Sequence, residues 1–191
     1  MAVNNPDELN TGNPAIGPAA MLRAEVERLK AELIKAEWKI AELEARADVD
    51  PLLDILNRRG FERELARSIS YVKRYGTPAA LIYIDLDDFK PVNDKHGHAV
   101  GDALLKAVAR QLTGQVRASD VVARLGGDEF GVLMWNLGEV QAIAKARELE
   151  ASIDRGSAAA GATRISVGAS AGIVLLTGDV TADAISDAAD K

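Results

Sequence analysis

From Leu22 onward the apolar residues keep a strict spacing. Leu22, Val26, Leu29, Leu33, Ala36, Ile40, Leu43 and Ala47 follow one another at alternating intervals of four and three residues. That is a heptad seam, and it predicts a coiled-coil helix over 19–49 that pairs with a second copy of the chain. In a parallel pair Glu25 meets Lys30 and Lys39 meets Glu44, both attractive, while Glu32 meets Glu37 and repels. Two of the three contacts favour the parallel arrangement, each by roughly 0.3 kcal/mol. The same helix carries a second stripe, Ala31, Ile34, Trp38, Ala41 and Ala45, on the face away from the seam. Alanine is simply a good helix former, but an exposed Ile34 and Trp38 suggest a docking surface for a regulatory protein. Residues 1–18 are rich in Asn, Pro and Gly, lack periodicity, and read as a disordered tail.

Asp50-Pro51 breaks the helix and suits the cap and first position of a new one, which passes through Phe61, Leu65 and Ile69 and ends at Gly76. Residues 79–84 (AALIYI) read as a buried strand ending in carboxylates. Residues 93–98 read as a turn, followed by a helix over 99–113 with Leu104, Val108 and Leu112 on one face. Strands Val121–Leu125 and Glu129–Trp135 are joined by a Gly126-Gly127-Asp128 hairpin turn. A helix over 138–154 comes next, and then one strand in which Ile165, Val167, Ala169, Ala171 and Ile173 alternate. The order α-β-α-β-β-α-β after the coiled coil predicts an α+β domain over 50–191 with helices on one side of the sheet.

Charge narrows the function classes. The net charge of −6 argues against nucleic acid or an anionic membrane as partner, so a polyphosphate substrate must be neutralised locally. The chain has no cysteine, which excludes disulfides, thiolate zinc sites and a Cys nucleophile. No apolar run approaches the ~20 residues that span a bilayer, and residues 1–20 lack the pattern of a signal peptide. A cytoplasmic protein without membrane insertion is expected.

Two acidic clusters carry the candidate chemistry: Asp85-Leu86-Asp87-Asp88-Phe89-Lys90 at a strand end, and Gly126-Gly127-Asp128-Glu129 at the hairpin. Carboxylates from neighbouring strand ends repel unless a cation sits between them, and hard oxygen ligands beside phosphates suit Mg²⁺ or Mn²⁺. Two such ions lower the pKa of an attacking hydroxyl and stabilise leaving pyrophosphate. Taken alone, either cluster fits an inert solvated loop equally well. Between them, Asn93 and Asp102 pair an amide with a carboxylate that can read a guanine edge; the spacing also fits a turn former and a helix cap. His96 and His98 fit turn roles.

From Asp50 to Lys191 the chain resembles the GGDEF-domain family of diguanylate cyclases. The resemblance rests on Gly126-Gly127-Asp128-Glu129-Phe130, together with Asn57-Arg58-Arg59, the 85–90 cluster, Asn93-Asp94, Gly97-His98 and Gly101-Asp102, in order and at the family's spacing. It implies a palm-like fold with a central, mostly antiparallel sheet and flanking helices. It implies that two GTP molecules are condensed into cyclic di-GMP plus pyrophosphate across a homodimer held by residues 19–49. Asp85, the Leu86 carbonyl, Asp128 and Glu129 would hold two metal ions per site; Asp128 would be the base and Lys90 a phosphate contact. Asn93 and Asp102 would bind guanine, with Phe89, Gly126 and Gly127 completing the substrate site. Arg117-Ala118-Ser119-Asp120 matches the family's product-inhibition pattern, with Arg124 as a further candidate; an ordinary polar turn and a strand surface charge are the plainer readings.

The chain departs from the family's Asp-x-Leu-Thr-Gly-Leu pattern by placing Leu53 at the Thr and Asp54 at the Gly. The family continues beyond an Asp-Lys into a helix bearing a Lys and an Arg, whereas this sequence stops at Asp190-Lys191, so weaker GTP binding than in an extended chain is expected. The alternative reading is a degenerate module that binds GTP or cyclic di-GMP without turnover.

Overall fold

Helix α1 spans Pro18–Ala47 in a computed structural model that describes residues 18–155, 158–160 and 163–177. The expected tail lies outside the described residues except for Pro18, which opens the helix at a position where a missing N–H costs no hydrogen bond. The chain divides into two compact units, Met1–Glu44 and Ala45–Lys191. Within the first, the seam residues Leu22, Val26, Leu29, Leu33, Ile40 and Leu43 are 42–67% exposed, and Ile34 and Trp38 are 55% and 75% exposed. Glu25 and Lys30, expected to meet across a parallel pair, take Arg28 (2.6 Å) and Glu27 (2.9 Å) within the helix.

No helix starts at Pro51. Asp50 Oδ1 does accept from the Leu52 and Leu53 amides, both at 2.9 Å, as an N-cap would. Asp54 then adopts a left-handed conformation (φ 56°), which reverses the chain into strand β1, Leu56–Asn57. Helix α2, Arg58–Tyr75, starts only there: Asn57 caps it by accepting from the Gly60 amide at 3.0 Å. Gly76 ends it as expected, with φ 66° and its N–H on the Val72 carbonyl.

The remaining elements are β2 (Ala79–Leu86), α3 (Phe89–His96), α4 (His98–Gly114), β3 (Val121–Gly126), β4 (Glu129–Trp135), α5 (Glu139–Arg155), β5 (Ala158–Ala160), β6 (Thr163–Ile165) and β7 (Ala169–Leu176). The main sheet has the order β1-β3-β4-β2-β7, with β1 parallel to β3 and the other pairs antiparallel. Helices cover both faces, not one. Ile82, Ile84 and Leu86 pack with Leu104, Leu105, Val108 and Leu112 of α4 and Leu149 and Ile153 of α5. Ala79 and Leu81 pack with Phe61, Leu65, Ile69 and Val72 of α2. The unbroken apolar run of β2 is the signature of a strand buried on both sides. Gly131 lets α2 approach, since a Cβ there would stand 2.9 Å from the Phe61 ring.

Two other expectations change. Most of the predicted turn at 93–98 is the end of helix α3. The predicted strand through Ile165–Ile173 is two strands, with β6 paired to β5 in a separate sheet. Its break comes where Gly168 meets the β2 end and accepts from the Asp87 amide at 2.9 Å.

Candidate active site

The ladder between β2 and β4 sets Asp85 directly opposite Glu129. One residue on, the Leu86 amide donates to the Asp128 carbonyl at 3.3 Å, tying the hairpin bend to the strand end. Asp85, Asp128 and Glu129 therefore share one corner of the sheet. Neither Gly126 nor Gly127 has positive φ. At Gly126 the constraint is spatial, since a Cβ there would stand 3.1 Å from Glu129 Oε2; one on Gly127 would meet nothing within 4 Å.

The Asp85 carboxyl is held above the ordinary carboxylate value, first by the surrounding protein that crowds it, then by the negative charges of Asp128, Glu129 and Asp87; the Leu86 amide opposes the shift. The residue as a whole stays open to solvent. Among the described residues no three His, Asp or Glu side chains already close on one point. The donors nevertheless fit a hard divalent cation: they are oxygens, they come from adjacent strand ends, and their repulsion is what such an ion relieves. Asp85, Asp128 and Glu129 are the carboxylates that meet at this corner.

Asp87 is fixed from the β7 side, where Ser170 Oγ donates to its Oδ1 at 2.9 Å. Asp88 turns the chain with φ 56° into α3, whose Lys90 is exposed. Asn93, further along α3, rests its side chain on Gly101: a Cβ at Gly101 would occupy the Asn93 Oδ1 position. The contact puts the Asn93 amide beside the residue that precedes exposed Asp102. On another loop, Asp120 Oδ2 accepts from the Arg117 amide (2.9 Å) and Oδ1 from the Trp135 amide (3.2 Å), while the Arg117 side chain is exposed.

The family described as "Diguanylate cyclase, GGDEF domain" matches residues 47–191. The chain belongs to that family. The GGDEF domain here is 45% identical over 94 residues, 49% of this chain, to diguanylate cyclase TpbB of Pseudomonas aeruginosa. A solved sensory box/GGDEF family protein from Caulobacter crescentus is 39% identical, with a TM-score of 0.68 over 75% of this chain and 93% of that one. Diguanylate cyclase SiaD of Pseudomonas aeruginosa, solved in complex with its activator SiaC, is 27% identical, with a TM-score of 0.71 over 89% of this chain and 66% of that one. Against curated relatives the matched stretch spans only 9–27% of their length.

Two of the expected site residues make contacts within this GGDEF domain. Phe89 is buried in the core and its ring lies against Gly101, behind the Asn93 contact. Arg124 is engaged within the domain: its Nε and Nη2 donate to the Gly127 carbonyl at 3.1 and 2.8 Å, and its Nη1 reaches Asp50 at 3.2 Å. At the position where the family pattern carries Gly, Asp54 takes the left-handed backbone that explains the pattern. Arg58 and Ser170, which spacing did not single out, both touch the acidic corner. The advance signal for Arg58 was its place in the Asn57-Arg58-Arg59 motif of the family resemblance, which named the residue but not its partners.

Proposed function

We propose that this chain is a diguanylate cyclase, joining two GTP molecules into cyclic di-GMP across a homodimer. The observation that carries the reading is the meeting of Asp85, Asp128 and Glu129 at one sheet corner. Asp128 takes the proton of a 3′-hydroxyl, whose oxygen forms a bond to the α-phosphorus of the facing GTP as the α–β phosphoanhydride bond breaks. The exchange happens twice, and two pyrophosphates leave. Two Mg²⁺ or Mn²⁺ ions, held by Asp85, the Leu86 carbonyl, Asp128 and Glu129, would acidify the hydroxyl and neutralise the departing charge. Lys90 steadies phosphate, and Asn93 with Asp102 recognises guanine through paired acceptors and donors. Cyclic di-GMP binds back at Arg117 and Asp120, where the exposed Arg117 offers a guanidinium to phosphate or base.

Each domain presents one half-site, so the exposed heptad face of α1 supplies the second by pairing residues 19–49 of two copies. The stripe at Ile34 and Trp38 is left for a regulatory protein, in keeping with the solved SiaD complex. No helix among the described residues is long and apolar enough to cross a membrane, and we place the reaction in the cytoplasm. Incubation with GTP and Mg²⁺ followed by chromatography tests the reading. Cyclic di-GMP should form, and Asp128→Asn should abolish it; GTP bound without turnover would reduce the chain to a sensor.

A further inference from the structure

Helix α2 opens with Arg58 and Arg59, where the helix dipole disfavours cations, and its first turn holds no acidic residue to offset them. Arg59 is explained by buried Asp48, with which it and Arg63 form ion pairs. Arg58 goes elsewhere. Its Nε donates to the Leu125 carbonyl at 2.7 Å and its Nη2 to Glu129 Oε2 at 3.2 Å. Leu125 is the extra residue of a β-bulge: the β3–β4 register shifts between Arg124 and Gly126, immediately before the bend that presents Asp128. A bulge leaves backbone groups outside the ladder and re-aims the residues that follow it. The guanidinium takes up that carbonyl and, from a second nitrogen, the carboxylate of the first β4 residue. Gly126 leaves room for the Glu129 carboxylate, since a Cβ there would lie 3.1 Å from its Oε2.

We propose that Arg58 is a positioning residue, which locks Glu129 to the bulge so that its carboxylate is set for the divalent cations and Asp128 stays correctly aimed. The inference rests on the cyclase reading for the reaction, but its geometric content concerns Glu129 and the bulge alone. Only a planar fork can span both acceptors, so charge by itself is insufficient. In Arg58→Ala, kcat should fall about 10- to 100-fold with the KM for GTP within about threefold, as expected when an aligned group is misplaced. Mn²⁺ binding to the nucleotide-free full chain, followed by electron paramagnetic resonance, should weaken about 5- to 10-fold, as when an outer-shell partner of a metal ligand is lost. Arg58→Lys should fail in the same way, and neither variant should move the unfolding midpoint much, because the pair is exposed.

Wild-type behaviour of Arg58→Lys would overturn the proposal, as would a loss of kcat that follows a loss of fold. If the wild-type chain makes no cyclic di-GMP yet both variants weaken Mn²⁺ binding, the positioning role stands and the cyclase reading falls. If wild type is active and Arg58→Ala is unchanged in rate and Mn²⁺ affinity, only the positioning role falls.

Discussion

Helix α1 and the domain that follows it are each incomplete, in opposite ways. The helix spends its apolar residues on a surface: the six seam residues from Leu22 to Leu43 stand 42–67% exposed. The domain buries a core of its own, with Leu81 and Ile82 at 0% exposure, but gathers like charges where β2 ends. Unburied hydrocarbon is relieved by another hydrocarbon surface, and crowded carboxylates by a cation. One chain thus advertises two different needs, and its proposed reaction requires both to be met together.

The largest effect should come from breaking the first need alone. Leu29→Lys with Leu33→Lys should turn the proposed dimer into a monomer by sedimentation, and product formation at nanomolar chain should drop about 100-fold, the scale of a lost effective concentration. A fully active monomer would sever the helix from the reaction. The comparison sharpens with matched truncations. Leu81→Ala should destabilise the domain by about 2–5 kcal/mol in denaturant melts, whereas Leu33→Ala should leave the domain's transition within about 0.5 kcal/mol.

A smaller effect tests the second need. Because folding raises the Asp85 pKa, the folded state holds that proton more tightly, and the associated stability is present in acid and lost as pH rises through the raised value. Asp85→Asn should therefore melt above wild type at neutral pH without metal, and the gain should vanish below about pH 4, where the carboxyl is protonated in both states. Mg²⁺ should raise the wild-type midpoint more than the mutant's. The smallest change is expected from Trp38→Ala, which should alter neither dimer mass nor domain melting beyond about 0.5 kcal/mol. A fall in mass would move Trp38 into the helix pairing.

Legibility followed the range of the interactions. The exposed seam, the β2 run and the hairpin at Gly127-Asp128 were readable because heptad spacing, continuous apolarity and Gly-rich turns are local properties. The start of α2 was not. Asp50 accepts two amides as a cap does, and only Asp54 and the Val49–Leu56 bridge turn the chain aside. Alternation through Ile165–Ile173 likewise gave no hint of a break that Asp87 and Gly168 impose from a distant strand. The identities of the acidic residues were legible, while the destinations of Arg58 and Arg124 were not, since both depend on a bulge whose register no nearby residue encodes.

Strand β2 has hydrogen-bonded neighbours on both edges and packed cores on both faces. Its amides from Leu81 to Ile84 should be the last in the domain to exchange with deuterated water, surviving every opening short of global unfolding. Asp85 follows directly in the chain. The carboxylate whose placement matters most is thus carried by the part of the molecule that breathes least, and a fluctuation able to displace it would have to dismantle the domain first.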